Sequence, residues 1–173
     1  LGCIRARLKA APKARPAEDM TQMRGPYNPT VNDEWGLLVD GFDRTPMVMM
    51  PYNPPYYEKV YEKIGLNPAR NLFAYYIRRD VTPAARILKV CDRVKRTTGI
   101  TMRQINKAKL NEEIKIIHVL YNQTLDRNWG FVPITLEDLQ YAANDLKAIL
   151  DPALVLIAEK DGKPVGFCMC IPN

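Results

Sequence analysis

The stretch Met47-Val-Met-Met-Pro-Tyr-Asn-Pro-Pro-Tyr-Tyr-Glu-Lys-Val-Tyr-Glu-Lys-Ile-Gly-Leu-Asn-Pro-Ala-Arg-Asn-Leu-Phe-Ala-Tyr-Tyr-Ile77 decides the fold. Met47–Met50 is a short apolar run that reads as the end of a strand. Asn53 stands where an N-cap would accept a backbone N–H, and Pro54 and Pro55 suit a first helical turn, where a missing N–H costs nothing. Tyr57, Val60, Tyr61 and Ile64 follow at i, i+3, i+4 and i+7, one apolar helical face, with Glu58, Lys59, Glu62 and Lys63 opposite. Gly65 sits where a helix ends on a left-handed residue. Leu72–Ile77 is aromatic and β-branched enough for a strand. The unit is therefore strand, loop, helix, strand.

Working outward, the chain of 173 residues is long enough for one domain with a proper core or for two half-sized ones. With 47% apolar and 25% charged residues it falls in the globular class and outside the disordered one. No apolar run is long enough to cross a bilayer, so no membrane partner is expected. Four scattered cysteines, Cys3, Cys91, Cys168 and Cys170, make no disulfide framework, which points to a reducing, cytoplasmic compartment. Cys168 and Cys170 share one face of a strand. Metal ligation is one reading of them; without a second Cys/His pair nearby, buried thiols are the favoured one and no metal is expected.

The net charge of +6 is uneven. Residues 78–109 carry ten Lys/Arg against Asp80 and Asp92, and residues 1–24 carry six against two. The basic stretch can be read as a nucleic-acid surface, but no helix-turn-helix, finger or RRM signature accompanies it. A solvated basic linker is favoured, with attraction of an anionic cofactor or partner as its further use.

Residues 1–20, with Pro12 and Pro16, read as a poorly ordered tail. Residues 22–46 read as a strand from Gln22 to Tyr27 and then a long loop, punctuated by Asn28, Asn32, Gly36 and Gly41. Asn28 and Asn32 are candidates to hydrogen-bond a substrate, or to close turns through their own backbone, which is favoured. Pro83–Lys95 can form a helix capped by Thr82 with Ala84, Ile87, Leu88, Cys91 and Val94 on one face, ended by Thr97-Thr98-Gly99. Ile100–Ile105 alternates as a half-buried strand. A third helix opens at Asn111 with Glu112 and Glu113 in its first turn, and Ile114, Ile117, Tyr121 and Leu125 form its stripe. His118, the single histidine, lies in it and has no local catalytic partner, so it reads as structural. Thr135 with Asp138 resembles a capping box ahead of a fourth helix with Leu136, Leu139, Ala143, Leu146 and Leu150. Ala153–Ala158 is a buried strand, Asp161-Gly162 a hairpin turn, and Pro164–Ile171 the returning strand.

The residues Tyr61-Glu62-Lys63-Ile64-Gly65-Leu66, a helix ending followed by a strand, resemble the last helix and next strand of the GNAT superfamily, the acyl-CoA-dependent N-acyltransferases. Gly25-Pro26-Tyr27-Asn28, Asn32-Asp33-Glu34, Gly36-Leu37-Leu38, Gly41-Phe42-Asp43, Tyr52-Asn53-Pro54-Pro55-Tyr56-Tyr57 and Asn128-Trp129-Gly130-Phe131-Val132-Pro133 are similar to a group of uncharacterised bacterial GNAT-like proteins. The resemblance covers roughly residues 20 to 173. It implies an α/β fold, a mixed sheet with flanking helices. The order of elements implies a fragment of two modules: residues 21–80 are the closing half of one, 81–97 a basic helical linker and 98–173 the opening half of the next. One mixed sheet built from both halves is the rival arrangement.

The resemblance implies acyl transfer from acyl-CoA, typically acetyl-CoA, to a small-molecule amine, with a non-catalytic GNAT-like binding module as the alternative. It places Tyr61 where many such enzymes keep a tyrosine near the cofactor sulfur to protonate the leaving thiolate; a plain core role on an amphipathic helix is the other reading of Tyr61. The loop carrying Tyr52, Asn53 and Tyr56 is the candidate substrate lip, or simply a proline-stiffened helix entry. The family's phosphate loop, Gln/Arg-x-x-Gly-x-Gly/Ala, is matched by none of the nine glycines. It is expected to fall beyond Asn173 or before Leu1, and this chain alone to bind acyl-CoA poorly.

Overall fold

The computed structural model describes residues 2–11, 23–28, 30–78 and 80–172. The chain divides into two compact units, Leu1–Val81 and Thr82–Asn173.

The first unit is built on β1 (Gly2–Ala11). On one side β1 pairs antiparallel with β2 (Met23–Gly25) and β5 (Leu37–Asp40), on the other with β6 (Asn67–Tyr76). Residues 2–11 of the stretch expected as a loose tail thus form the strand that the others pair with; residues 12–20 of it lie outside the described residues. The strand expected at Gln22–Tyr27 is divided into β2 and β3 (Tyr27–Asn28), with Gln22 outside the described residues. β3 forms a two-residue ladder with β4 (Glu34–Trp35), and Tyr27 stacks on Trp35 at 6.1 Å. What read as one long loop therefore holds two short strands and the unit's best-buried side chains, Leu37 and Leu38.

Met47–Met50 is not a strand. It is a turn, closed by Met50 N–H on the Met47 carbonyl at 3.1 Å, with Met49 at φ +62°. Helix α1 spans Tyr57–Lys63. Its end follows the sequence: Gly65 is left-handed at φ +85°, its N–H bonds the Glu62 carbonyl and Leu66 N–H reaches back to Tyr61, which closes the last turn. Its start differs. Tyr56 takes the N-cap position without a side-chain cap, and Asn53 is used elsewhere. The face Tyr57, Val60, Tyr61, Ile64 does not enter a core; Ile64 is 65% exposed and no residue of α1 is buried.

The second unit begins with α2 (Ala85–Thr98), which ends on left-handed Gly99 as its sequence indicates. The expected cap, Thr82, lies outside it; Ala84 takes that position, and no residue of α2 is buried. Strands β7 (Thr101–Gln104), β8 (Val155–Lys160) and β9 (Lys163–Met169) form an antiparallel sheet in the order β7-β8-β9. The β8–β9 turn has Asp161 and Gly162 both at positive φ, the left-handed pair of a tight hairpin. Between β7 and β8 run α3 (Leu110–Leu125) and α4 (Leu136–Leu146). The core joins Ile105, Leu110, Ile114, Ile117 and Val155 with half-buried Leu136, Leu139, Ala143 and Phe167. Each fully buried aliphatic side chain here, such as Ile157 or Val155, stabilises the unit by about 1.5–3 kcal/mol.

Two ends in this unit follow different side chains from those the spacing suggests. Asn111 does not cap α3. A 3₁₀ turn at Lys107–Lys109 precedes the helix, and Asn106 caps that turn, accepting from Ala108 N–H at 3.0 Å. Thr135 does cap α4: its hydroxyl accepts from Asp138 N–H at 3.1 Å and donates to the Asp138 carboxylate at 2.6 Å.

The molecule is therefore mixed α/β, but not a single mixed sheet. Every strand pairing among the described residues is antiparallel, and β6 and β7–β9 lie in separate sheets. No described helix is long and apolar enough to cross a membrane.

Candidate functional site

The site is assembled around Asn53. Its carboxamide is 8% exposed and faces Leu38: Oδ1 accepts the Leu38 N–H at 2.8 Å, and Nδ2 donates to the Leu38 carbonyl at 3.2 Å and to the Pro54 carbonyl at 3.1 Å. The side chain takes the place of a further strand at the open edge of β5. A strand edge left unpaired in a buried setting costs free energy, so this clamp seats the loop 51–56 against β5 and sets where α1 begins.

Seated in this way, the loop and α1 close a cavity of about 250 Å³ together with β3, β4 and the start of β5. Tyr52, Asn53, Tyr57 and Tyr61 line one side, and Asn28, Glu34 and Gly36 the other. Gly36, on the cavity wall, has φ +90°, and its N–H bonds the Pro26 carbonyl at 2.9 Å, so the backbone turns there as glycine readily allows. Three of the four residues marked in the sequence, Tyr52, Asn53 and Tyr61, meet here. Tyr56 does not; it is 60% exposed and lies edge-on to Tyr57 at 5.0 Å. Asn28 lines the cavity across the ladder from Glu34. Asn32 lies outside it, in the turn where Thr30 and Asp33 bond one another. Glu34 and Tyr57 were not singled out by sequence reasoning. Only the ladder pairing Asn28 with Glu34 brings the carboxylate to this wall.

A second cavity of about 290 Å³ lies in the same unit and is walled by Met47, Met50, Ala74, Tyr75 and Tyr76, with Arg44 and Thr45 at its edge. The Arg44 guanidinium stands over the Tyr76 ring at 5.4 Å, a cation–π contact. The lining is chiefly apolar, and its methionines are side chains that repack readily around irregular shapes.

In the second unit, the His118 Nε2 lies 2.9 Å from the Ile134 carbonyl and 3.1 Å from the Asn122 Nδ2. Asn122 holds the same Ile134 from both sides, accepting its N–H at 3.0 Å and donating to its carbonyl at 3.0 Å. Together they tie α3 to the entry of α4. Arg103 on β7 forms a second fixed point: Nη1 and Nη2 meet the Glu113 carboxylate at 2.7 and 3.0 Å, and Nε meets Glu159 at 2.7 Å. These bonds raise the Arg103 pKa above its ordinary value, with Glu113 the larger cause and Glu159 the next. Cys168 and Cys170 are exposed, not buried as expected. No group of His, Cys, Asp or Glu able to hold a metal ion occurs among the described residues.

The first turn of α3 is occupied by Glu113, and that of α4 by Thr135 and Asp138. No glycine-rich loop precedes any of the four described helices.

Two bacterial proteins of known name are similar to the chain over nearly its whole length. Protein YghO of Escherichia coli strain K12 is 32% identical over 91% of the chain. Bacterial ceramide synthase of Caulobacter vibrioides is 36% identical over 92% of it. The chain spans 40% and 43% of the lengths of these two relatives. No family model and no solved structure matches it.

Proposed function

We propose that the protein is a GNAT-like N-acyltransferase that joins an acyl group, carried as an acyl-CoA thioester, to an amine, and that the cavity under α1 is where the transfer takes place. The observation that carries this reading is the meeting of Tyr52, Asn53 and Tyr61 in one cavity walled by β3, β4 and α1. Two further observations support it. The order β7, α3, α4, β8, β9 has the sequence of elements expected for the opening of a GNAT module. The name of the Caulobacter relative denotes the making of an amide between an acyl chain and a lipid amine.

In this reading the amine nitrogen attacks the thioester carbonyl, the C–N bond forms, the C–S bond breaks and the proton lost from the nitrogen passes to solvent. The Tyr61 hydroxyl, which has no partner among the described residues, gives its proton to the departing thiolate and is reprotonated from solvent. Tyr52 at the rim presents an amphipathic ring to an incoming substrate. Asn53 acts one step back: its amide is already committed to Leu38 and Pro54, so it holds the lip in position. The apolar cavity between Met47, Met50 and Tyr75 offers room for a chain of methylenes. The pyrophosphate of the donor is not assigned to these residues.

The test is to measure amide formation by the full-length protein from a long-chain acyl-CoA and a lipid amine, with Tyr61→Phe beside the wild type. The expected result is product formation that falls at least about tenfold in Tyr61→Phe, with an unchanged melting temperature. Unchanged turnover removes Tyr61 from the mechanism. No product, together with no thermal protection by acyl-CoA, removes the acyltransferase reading.

A further inference from the structure

Helix α2 carries two distinct surfaces that the proposed chemistry does not use. Ile87, Val90, Cys91 and Val94 recur at i, i+3, i+4 and i+7 and form one apolar stripe. That stripe faces no core: Ile87 is 56%, Val90 54% and Val94 40% exposed. Thr97 and Thr98 do not interrupt it with free hydroxyls, since these bond back to the Arg93 and Val94 carbonyls at 2.9 and 2.8 Å. On the other side, Arg86, Lys89, Arg93 and Arg96 fall within an arc of about 80° at 100° per residue. None of these four makes an ion pair with a described residue. Lys95 stands about 100° outside this arc, at the far border of the apolar stripe, and Asp92 is the helix's single acid.

We propose that α2 lies along the surface of an anionic lipid bilayer, with the apolar stripe sunk to the headgroup boundary and the basic arc among the lipid phosphates. Charge complementarity selects this occupant. A nucleic acid would engage the cations and leave Ile87, Val90 and Val94 in water. Burial of the stripe by another protein segment would gain nothing from four unpaired cations gathered in one arc. A bilayer surface meets both features at once, the combination that marks interfacial helices. The helix rests on the membrane and does not cross it: its 14 residues extend about 21 Å, short of a hydrocarbon core of about 30 Å. The sequence expectation of no membrane partner rests on the lack of a spanning run, and a surface helix needs none.

The test is co-sedimentation of the full-length protein with vesicles of phosphatidylcholine alone and of phosphatidylcholine with about one third phosphatidylglycerol, at low and raised salt. Binding to the anionic vesicles is expected to exceed binding to the neutral ones by about tenfold or more and to weaken with salt. The double variant Ile87→Glu/Val94→Glu should lose about tenfold or more of that binding. The variant Arg86→Gln/Lys89→Gln/Arg93→Gln/Arg96→Gln should lose the preference for anionic vesicles. Both should melt like the wild type without vesicles. Equal binding to the two vesicle types, or binding that neither variant changes, overturns the proposal. A lower melting temperature of Ile87→Glu/Val94→Glu in vesicle-free buffer overturns it as well, because protein then covers the stripe. So does retention on duplex DNA or RNA that the glutamine variant abolishes and the glutamate variant leaves intact.

Discussion

The carboxamide of Asn53 bonds both backbone groups of Leu38, 2.8 Å to the N–H and 3.2 Å to the carbonyl, and so closes the open edge of β5 with one side chain. This contact spans fifteen residues of chain and joins the core of the first unit to the loop that carries Tyr52 and leads to Tyr61. Asn53→Ala leaves a buried N–H and a buried carbonyl without partners. The expected cost is about 3 kcal/mol in denaturant unfolding of the first unit's signal, at 1–3 kcal/mol for each group. The acyl transfer proposed above should fall with it as loop 51–56 shifts. A stability loss under about 0.5 kcal/mol would show that solvent replaces the amide and that the clamp does not seat the loop.

The Arg103–Glu113–Glu159 cluster fastens β7, α3 and β8. Glu113 is nearly buried while a third of the Arg103 side chain reaches solvent. Glu113→Gln removes the charge that Arg103 faces on two nitrogens. Breaking a buried pair costs about 3–5 kcal/mol, and screening at the exposed guanidinium brings the expectation to about 1–3 kcal/mol. The sign of the pH dependence follows from the raised Arg103 pKa. Stability from a raised cation is present at every pH below its unfolded value and is lost only as pH rises through the folded one. Both lie above the ordinary range for denaturation experiments, so the Arg103 contribution should be constant between roughly pH 6 and pH 10. Comparing chemical unfolding of the wild type and Glu113→Gln at several pH values within that window checks this, because Cys168 titrates in both; a difference between them that shrinks toward the alkaline end would contradict it.

Desolvation, and then the neighbouring Cys170 thiol, push the Cys168 pKa up. The thiolate is the reactive form, so Cys168 should alkylate more slowly in the folded protein than in urea at about pH 8.5. A raised pKa also means that stability drops as pH rises through the thiol range, since the folded state holds its proton longer. Peptide mapping after iodoacetamide treatment measures the first effect. Equal rates in folded and unfolded protein would show that Cys168 keeps no protection.

Much of this architecture is legible one segment at a time. Gly65 and Gly99 mark the ends of α1 and α2, Thr135 and Asp138 open α4, and Asp161-Gly162 turns β8 into β9. Each is a contact within a few residues, so the local pattern contains the whole interaction. The starts of α1, α2 and α3 are not marked by Asn53, Thr82 and Asn111, which have capping chemistry but not capping positions. Asn53 is drawn away to Leu38, and Asn106 takes the capping role ahead of Asn111.

What the sequence determined by itself is the alternation of strands and helices, their turns, and the tyrosine-rich stretch that deserved scrutiny. Short-range periodicity and backbone preference suffice for that. What the tertiary structure decided is which of these residues meet. Residues 2–11 became the central strand through pairing with β6 some sixty residues away, Glu34 reached the cavity wall through its ladder with Asn28, and Arg103 found Glu159 across 56 residues. Such partners are chosen by strand register and packing, and neither is written in the spacing of any one segment. The same holds for the apolar faces of α1 and α2. Periodicity shows that a helix has such a face, and only the fold shows whether a core receives it.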